Sequence, residues 1–397
     1  MTDYEANAKH VLKTLNDAGY EAYFVGGFVR DTLLNLPTKD IDITTNATPQ
    51  EVIDLFDRVK ETGMKYGTVT VLFNNLAYEV TTFRSDGTYT DNRRPDTIQF
   101  SKTLEEDVKR RDFTVNALCM DYDGDIIDLV DGQADLAKGE LRMIGDPHKR
   151  LKEDALRMLR AIRFVSSHGF HLQQETHGAI TSHNALIPTI AIERIMQELD
   201  KTFRGQYLNE AINVLLETDV ADVLYGIKPG LEYLNRKGKQ LNNLSPIEIF
   251  TICFILGEDN DIWRFSNRQR RLIDQLILLH EVTKEDQFNT FLVFSYSIEV
   301  CDIVNRINVT LGYRDQSQRL KEIDQSMPIK DVCDLKFKGE DIIKLTTLKK
   351  HSLIGLIIDD LLEGVLEGRL NNNYQELKDY TLNKINALQK DTGDKNE

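Results

Sequence analysis

Hydrophobic positions along this chain change their period near residue 147. Before that point, short alternating runs mix with short helical ones. Ala8 to Leu15 has helical spacing, Ala22 to Val25 has the character of a strand, Phe28 to Leu34 is helical again, and Ile41 to Thr44 is a second strand. Thr48-Pro49-Gln50-Glu51 predicts a helix start, because it offers a capping box with proline at the first helical position. Thr68 to Phe73 and Ala77 to Arg84 alternate around Asn74-Asn75, which predicts a hairpin. Ser85 to Pro95 (SDGTYTDNRRP) has almost nothing to bury and is expected to be a mobile loop. Thr103-Leu104-Glu105-Glu106 is a second capping box, whose helix is expected to end near Arg110-Arg111-Asp112. Thr114 to Asp121 and Asp125 to Leu129 are expected strands around a turn at Asp123-Gly124.

After Asp146-Pro147 the strand signal nearly vanishes, and helical periodicity runs to about Lys390. The pattern therefore predicts an α/β unit, a mixed β-sheet with flanking helices over 1–147, followed by all-α regions. Further boundaries are expected near 200 and 285, giving 148–200, 201–285 and 286–390, with a polar C-terminus over 391–397 expected to fray.

Composition narrows the class. A chain of 397 residues is expected to form about two to four units. With 41% hydrophobic and 28% charged residues it has the balance of a globular protein that needs no staples. Cys119, Cys253, Cys301 and Cys333 stand far apart without a CxxC pair, which argues against structural zinc and for a reducing cytoplasm. The opening MTDYEANAKH shows no signal peptide, and the strongest apolar run, Ile247 to Leu256, is broken by Glu248 and too short to span a bilayer. The net charge of −15 disfavours nucleic acid as an average, but a polyanion is steered by a local basic stripe.

Chemistry concentrates at a few places. Asp40 and Asp42, separated by one residue and flanked by Ile41 and Ile43, share one face of a strand and suit divalent cations such as Mg²⁺. Glu79, on a neighbouring strand, is the candidate third catalytic carboxylate. Gly26-Gly27 ahead of Phe28-Val29-Arg30 lets backbone approach a phosphate at Gly27, with Arg30 adding a bidentate contact. Asp31 either serves the same pocket or pairs with Arg30. Arg111, rather than Arg110, is expected on a nucleotide. Glu153 to Phe164 (EDALRMLRAIRF) is expected to be one helix, in which Asp154 and Arg157 are neighbours and Arg160 and Arg163 extend the stripe. Three arginines facing one carboxylate leave a positive surplus that favours an anionic ligand. An aspartate accepts hydrogen bonds and a guanidinium donates them, so Asp154 with Arg157 could select the edges of cytosine and adenine over uracil and guanine. Nucleotide plus metal spells phosphoryl or nucleotidyl transfer.

Gly26-Gly27-x-Val29-Arg30-Asp31, Asp40-x-Asp42, Arg110-Arg111-Asp112-Phe113-Thr114-Val115-Asn116-Ala117, Glu153-Asp154-x-x-Arg157-x-x-Arg160-x-x-Arg163-Phe164 and Glu193-Arg194 occur in one order. That order resembles bacterial class II tRNA nucleotidyltransferases, the CCA-adding enzymes, over about the first 200 residues. The resemblance implies a catalytic head, a neck that recognises the base, and a helical body and tail. It implies Mg²⁺ on Asp40 and Asp42. The triphosphate would lie on Gly27 and Arg30, and the incoming CTP or ATP on Arg111, Asp154, Arg157, Arg160 and Arg163. The partner it implies is the tRNA 3′ end, held by the C-terminal half, with Arg264, Arg268, Arg270 and Arg271 as candidate phosphate contacts. The loop over 85–95 matches one associated in this family with the change from C to A addition. No membrane partner is expected, and a homodimer is left open. Rival readings are a poly(A) polymerase, which usually carries basic extensions that this acidic chain lacks, a CC-adding enzyme, and a non-catalytic RNA-binding protein.

Overall fold

The computed structural model describes residues 3–38, 40–86, 98–258, 261–345 and 351–393. Of the loop expected over 85–95, all but Ser85 and Asp86 lies outside the described residues. The chain divides into two compact units, Met1–Arg264 and Phe265–Glu397. The helix Asn267–Thr283 therefore belongs with the second unit, although the sequence pattern groups it with the region ending near 285.

The first unit opens with α1 (Asp3–Asp17), β1 (Ala22–Val25), α2 (Gly27–Leu33), β2 (Asp42–Thr45) and α3 (Pro49–Leu55). The strands β3 (Val59–Gly63), β4 (Thr68–Phe73), β5 (Leu76–Thr82), β6 (Arg84–Asp86) and β7 (Ile98–Phe100) follow, then α4 (Leu104–Lys109), β8 (Cys119–Met120), β9 (Ile126–Ile127), α5 (Gly132–Lys138) and β10 (Glu140–Leu141). Helices then dominate: α6 (Pro147–Glu153), α7 (Leu156–His168), a short β11 (His171–Leu172) paired with β10, α8 (Gln174–His183), α9 (Ile192–Phe203), α10 (Leu208–Glu217), α11 (Val220–Val223), α12 (Lys228–Lys237) and α13 (Pro246–Leu256).

Among the described residues, seven strands form one mixed sheet in the order β3-β4-β5-β2-β1-β8-β9. Within it β2 runs antiparallel to β1 and parallel to β5. Local signals explain much of this. The hydroxyl of Thr48 accepts from the Glu51 N–H while the Glu51 carboxylate accepts from the Thr48 N–H, with Pro49 opening the helix, as the capping box predicts. The β4–β5 hairpin turns at Asn74 and Asn75, both left-handed at φ 50° and 62°. No helix among the described residues is long and apolar enough to cross a membrane.

Three expectations fail locally. The Thr103 hydroxyl does not cap α4; its N–H donates instead to the Ser101 hydroxyl oxygen at 3.0 Å, and that hydroxyl donates to Glu106. Thr114–Asn116 is a 3₁₀ turn, not strand, and only Cys119–Met120 and Ile126–Ile127 pair beyond it. The turn is pressed by Gly132, where an added Cβ would meet the Thr114 carbonyl oxygen at 2.5 Å. The expected continuous helix over 153–164 is broken, because Asp154 is extended at φ −145°, ψ 101° between α6 and α7.

The second unit is helical: α14 (Asn267–Thr283), α15 (Thr290–Tyr296), α16 (Ile298–Leu311), α17 (Ser317–Ser326), α18 (Gly339–Leu345), α19 (His351–Leu366) and α20 (Tyr374–Gly393). Its C-terminal core joins Phe337, Ile342, Ile357, Leu361 and Leu377.

Candidate active site

The site forms where β1 leaves the sheet. Phe24 and Val25 are buried in the core, and the chain then turns at Gly26 with φ 75°, a conformation that side chains with a Cβ disfavour. A Cβ there would lie 3.7 Å from an Arg111 nitrogen and 3.9 Å from an Asp42 carboxylate oxygen, so the turn passes close to both. Gly27 opens α2, and burial of Phe28 and Val29 fixes the rotation that carries Arg30 to the opening. Antiparallel pairing of Val25 with Asp42 sets that carboxylate beside the glycine turn. A cavity of about 590 Å³ results, lined by Gly26, Gly27, Arg30, Asp31, Pro37, Asp40, Asp42, Arg111, Asp112, Asn116, Arg160, Arg163 and Phe164.

The expected positive surplus is not there, because each lining arginine has its own carboxylate. Arg30 meets Asp31 at 2.8 Å, Arg111 meets Asp107 at 2.9 Å, Arg160 donates to Asp112 through Nε at 2.8 Å, and Arg163 lies 3.4 Å from Glu198. The Arg30–Asp31 pair is one of the alternatives the sequence offered, but neighbouring residues could not reveal the partners of Arg160 and Arg163, because Asp112 and Glu198 lie outside the 153–164 segment. The pairs shift the acids as expected. Burial alone would raise Asp112, but Arg160, the Phe113 N–H and Asn116 outweigh it and hold the carboxyl at about 2. Burial likewise opposes Asp107, and Arg111 and Arg110 overcome it to lower that carboxyl.

Asp42 behaves the other way. Loss of solvent and the negative charges of Glu79 and Asp40 raise its carboxyl against the pull of Arg111. Glu79 is exposed, sits opposite Asp42 in the parallel β2–β5 register, and is not part of the cavity lining. Among the described residues no three His, Cys, Asp or Glu side chains gather as a metal cage. Two hard carboxylates facing open space nevertheless fit a cation that takes its remaining ligands from water and phosphate, the usual habit of Mg²⁺. The raised carboxyl of Asp42 also marks like-charge crowding that a cation would relieve.

Asp154 and Arg157 are not brought together. The break at Asp154 removes it from α7, and its carboxylate accepts from Arg194 at 3.3 Å and from the Leu156 N–H at 3.1 Å. Arg157 is buried, and its guanidinium donates to the Arg150 carbonyl at 2.6 Å and to Glu153 at 3.3 Å. Arg150 in turn donates to the Arg110 carbonyl and, at 3.0 Å, to that of Arg111. Arg110 itself pairs with Asp107 and does not line the cavity. Besides Pro37, three lining residues had no role assigned from the sequence: Asp112, Asn116, which accepts from Arg30, and Phe164. The available signal was their place inside the quoted motifs, next to the arginines.

Residues 22–142 match the family model described as the poly A polymerase head domain. Residues 169–234 match the family model described as the probable RNA and SrmB-binding site of polymerase A, and 261–380 match the model described as tRNA nucleotidyltransferase domain 2. A CCA-adding enzyme of Limosilactobacillus fermentum is 37% identical over 382 residues, covering 93% of this chain and 94% of that one. The chain belongs to the CCA-adding enzymes. Another CCA-adding enzyme, from Levilactobacillus brevis, is 39% identical across 92% of this chain and 94% of its own length. The crystal structure of the Bacillus stearothermophilus CCA-adding enzyme in complex with CTP superposes with a TM-score of 0.87 at 30% identity, covering 98% of this chain and all of that one. A Thermotoga maritima CCA-adding enzyme complexed with tRNA shares the fold at a TM-score of 0.65 and 18% identity, over 97% of this chain and 96% of that one. CCA-adding enzymes are nucleotidyltransferases, and divalent metal use comes with that family.

Proposed function

We propose that this chain adds and repairs the 3′-terminal CCA of tRNA from CTP and ATP, without a nucleic-acid template and with release of pyrophosphate. The observation that carries this reading is the single cavity that joins Asp40 and Asp42 to the Gly26-Gly27 turn, Arg30 and Arg111. Asp40 and Asp42 would hold Mg²⁺, which supplies activation of the 3′-hydroxyl and neutralisation of the triphosphate when bound. Glu79 adds negative charge behind Asp42. Gly27 leaves room for the phosphates, Arg30 and Arg111 clamp them, and Arg160 and Arg163 contact the nucleotide. The lining arginines are matched by Asp31, Asp40, Asp42 and Asp112, so the counter-charge for a triphosphate has to enter with the cations.

Asp154 and Arg157 are proposed to read the base edge, the carboxylate accepting an exocyclic amine and the guanidinium donating to a ring nitrogen. In this reading both exchange their present protein partners, Arg194 for Asp154 and the Arg150 carbonyl for Arg157, for the base. Residues 1–147 act as the catalytic head, 148–200 as the neck, 201–285 as the body and 286–390 as a tRNA-holding tail, working in the cytoplasm. Arg264, Arg268 and Arg271 are exposed, as phosphate contacts require.

A poly(A) polymerase is the second reading, favoured by the descriptions of two matching family models. One assay separates them: tRNA lacking its terminal CCA, incubated with Mg²⁺ and CTP, ATP or both. Growth by three nucleotides with both, and by two with CTP alone, is expected. A long A tail, arrest after CC with both nucleotides present, or no growth would replace this reading with one of its rivals.

A further inference from the structure

Three guanidinium groups crowd one phenyl ring in the cavity wall. The central guanidinium carbons of Arg163, Arg30 and Arg160 lie 4.5, 5.3 and 5.9 Å from the ring centre of Phe164. All three fall within the range over which a cation is drawn to an aromatic face. The ring is only 7% exposed, yet it lines the cavity. The Phe113 ring packs against it edge to face at 5.6 Å and 77°.

We propose that Phe164 is a positioning residue for the anion-binding arginines, its electron-rich ring holding Arg30, Arg160 and Arg163 together at one wall of the cavity. The inference rests on the reading of this cavity as the nucleotide site. Each arginine has one carboxylate partner, and those partners, Asp31, Asp112 and Glu198, sit in different elements. Asp112 and Glu198 each act on both Arg160 and Arg163 and offset part of the repulsion between them, whereas Arg30 pairs with Asp31. Phe164 is the contact they share. Helical spacing makes this possible: Arg160 and Phe164 are four residues apart on α7 and face the same way. Arg30 reaches the same ring from α2, so the ring also fixes an arginine from before residue 147 against two from after it.

The test compares the native ring with variants that keep its shape or its chemistry. Binding of CTP and of inorganic tripolyphosphate, each with Mg²⁺, is measured on the full chain, alongside kcat and KM for CTP addition. Phe164→Leu is expected to weaken both ligands about tenfold, and Phe164→Tyr to restore binding to within about twofold. Replacing three ring hydrogens of Phe164 with fluorine (3,4,5-trifluorophenylalanine) keeps the shape and drains the ring face of charge. That change is expected to weaken both ligands about threefold to fivefold and to raise KM while leaving kcat within about twofold. A fluorinated ring that binds both ligands as tightly as the native one, in a folded protein, overturns the proposal. Failure of the native protein to extend tRNA would strike the functional reading instead, and the tripolyphosphate comparison would still decide the role of the ring.

Discussion

Around the cavity of the first unit the buried polar groups include several ions beside the amide of Asn116, whereas those described in the second unit are amides, hydroxyls and an imidazole. Arg30, Asp107, Arg150, Arg157 and Glu198 are buried in the first unit. Among the described residues of the second, the buried polar side chains are His280, Thr283, Asn305, Asn308, Gln316 and Thr381. All of these but Thr381 are joined by hydrogen bonds, and Asn305 also donates to the Asp315 carboxylate at 2.9 Å. His280 Nδ1 donates to the Asn308 amide oxygen at 2.7 Å, the Asn308 amide donates to Thr283 at 3.0 Å, and Gln316 accepts from the Phe288 N–H at 2.9 Å. Of the five charged groups Arg30 lines the cavity, and Asp107 and Glu198 pair with the lining residues Arg111 and Arg163. Burying ions is costly and is a weak way to gain stability, whereas a satisfied neutral network joins helices without that penalty. The difference separates a region organised to receive a charged ligand from one organised to keep its helices in register.

The largest break in that comparison should come at the acidic floor. Asp42→Ala is expected to lower nucleotide addition by about 10³-fold or more while tRNA binding and the folded state persist. Near-normal turnover in a folded Asp42→Ala protein would remove the metal assignment. Arg157→Ala is the next step down. Discrimination against UTP and GTP should fall by about tenfold or more, the equivalent of about 1–3 kcal/mol for a mismatched buried group, with a smaller change in tRNA affinity. Unchanged base choice would confine Arg157 to its present contacts with Glu153 and the Arg150 carbonyl.

Those contacts also mark where the sequence stops being legible. The β1 strand, the β4–β5 hairpin and the Thr48 capping box were readable because their signals are carried by neighbouring residues. The lining residues Asp40, Asp42, Gly27, Arg30, Arg111, Arg160 and Arg163 were readable because their types suit phosphate and metal. Apart from Arg30 with Asp31, which the sequence offered as an alternative, the partners of the arginines were not. Asp112 finds Arg160 and Asn116 finds Arg30 across many residues of chain, and the same tertiary demands turn Thr114–Asn116 away from the strand its apolar pattern favours. Asp154 reads as a helical neighbour of Arg157, but its extended backbone starts a new helix and leaves Glu153 as the arginine's partner.

The neutral network offers a smaller effect of the opposite kind. Asn308→Ala takes the acceptor from His280 and the donor from Thr283 and should cost about 2 kcal/mol in the second unit. Hydrogen exchange on the full chain should show faster opening of α14 and α16, with Mg²⁺–CTP affinity unchanged. A loss of nucleotide affinity equal to that of a cavity variant would erase the contrast between the two regions.

The smallest expected effect tests whether the charged set contributes stability at all. The Asp112 carboxyl stands at about 2 in the folded chain, below its ordinary value of 3.8, because Arg160 and two hydrogen bonds outweigh burial. A lowered carboxyl stabilises the fold above the unfolded-state value, and that contribution disappears as the pH falls through the folded-state value. Arg160 is about one-third exposed, at 34%, so screening reduces the pair to about 1 kcal/mol. Asp112→Asn should therefore lower the denaturation midpoint at neutral pH, and the gap from the native chain should narrow as the pH falls from about 4 towards 2. A gap that stayed constant through this window would mean that Asp112 acts by shape and hydrogen bonding alone. The buried ions of the cavity would then hold position without adding stability, and the two regions would differ more sharply than their hydrogen bonds already imply.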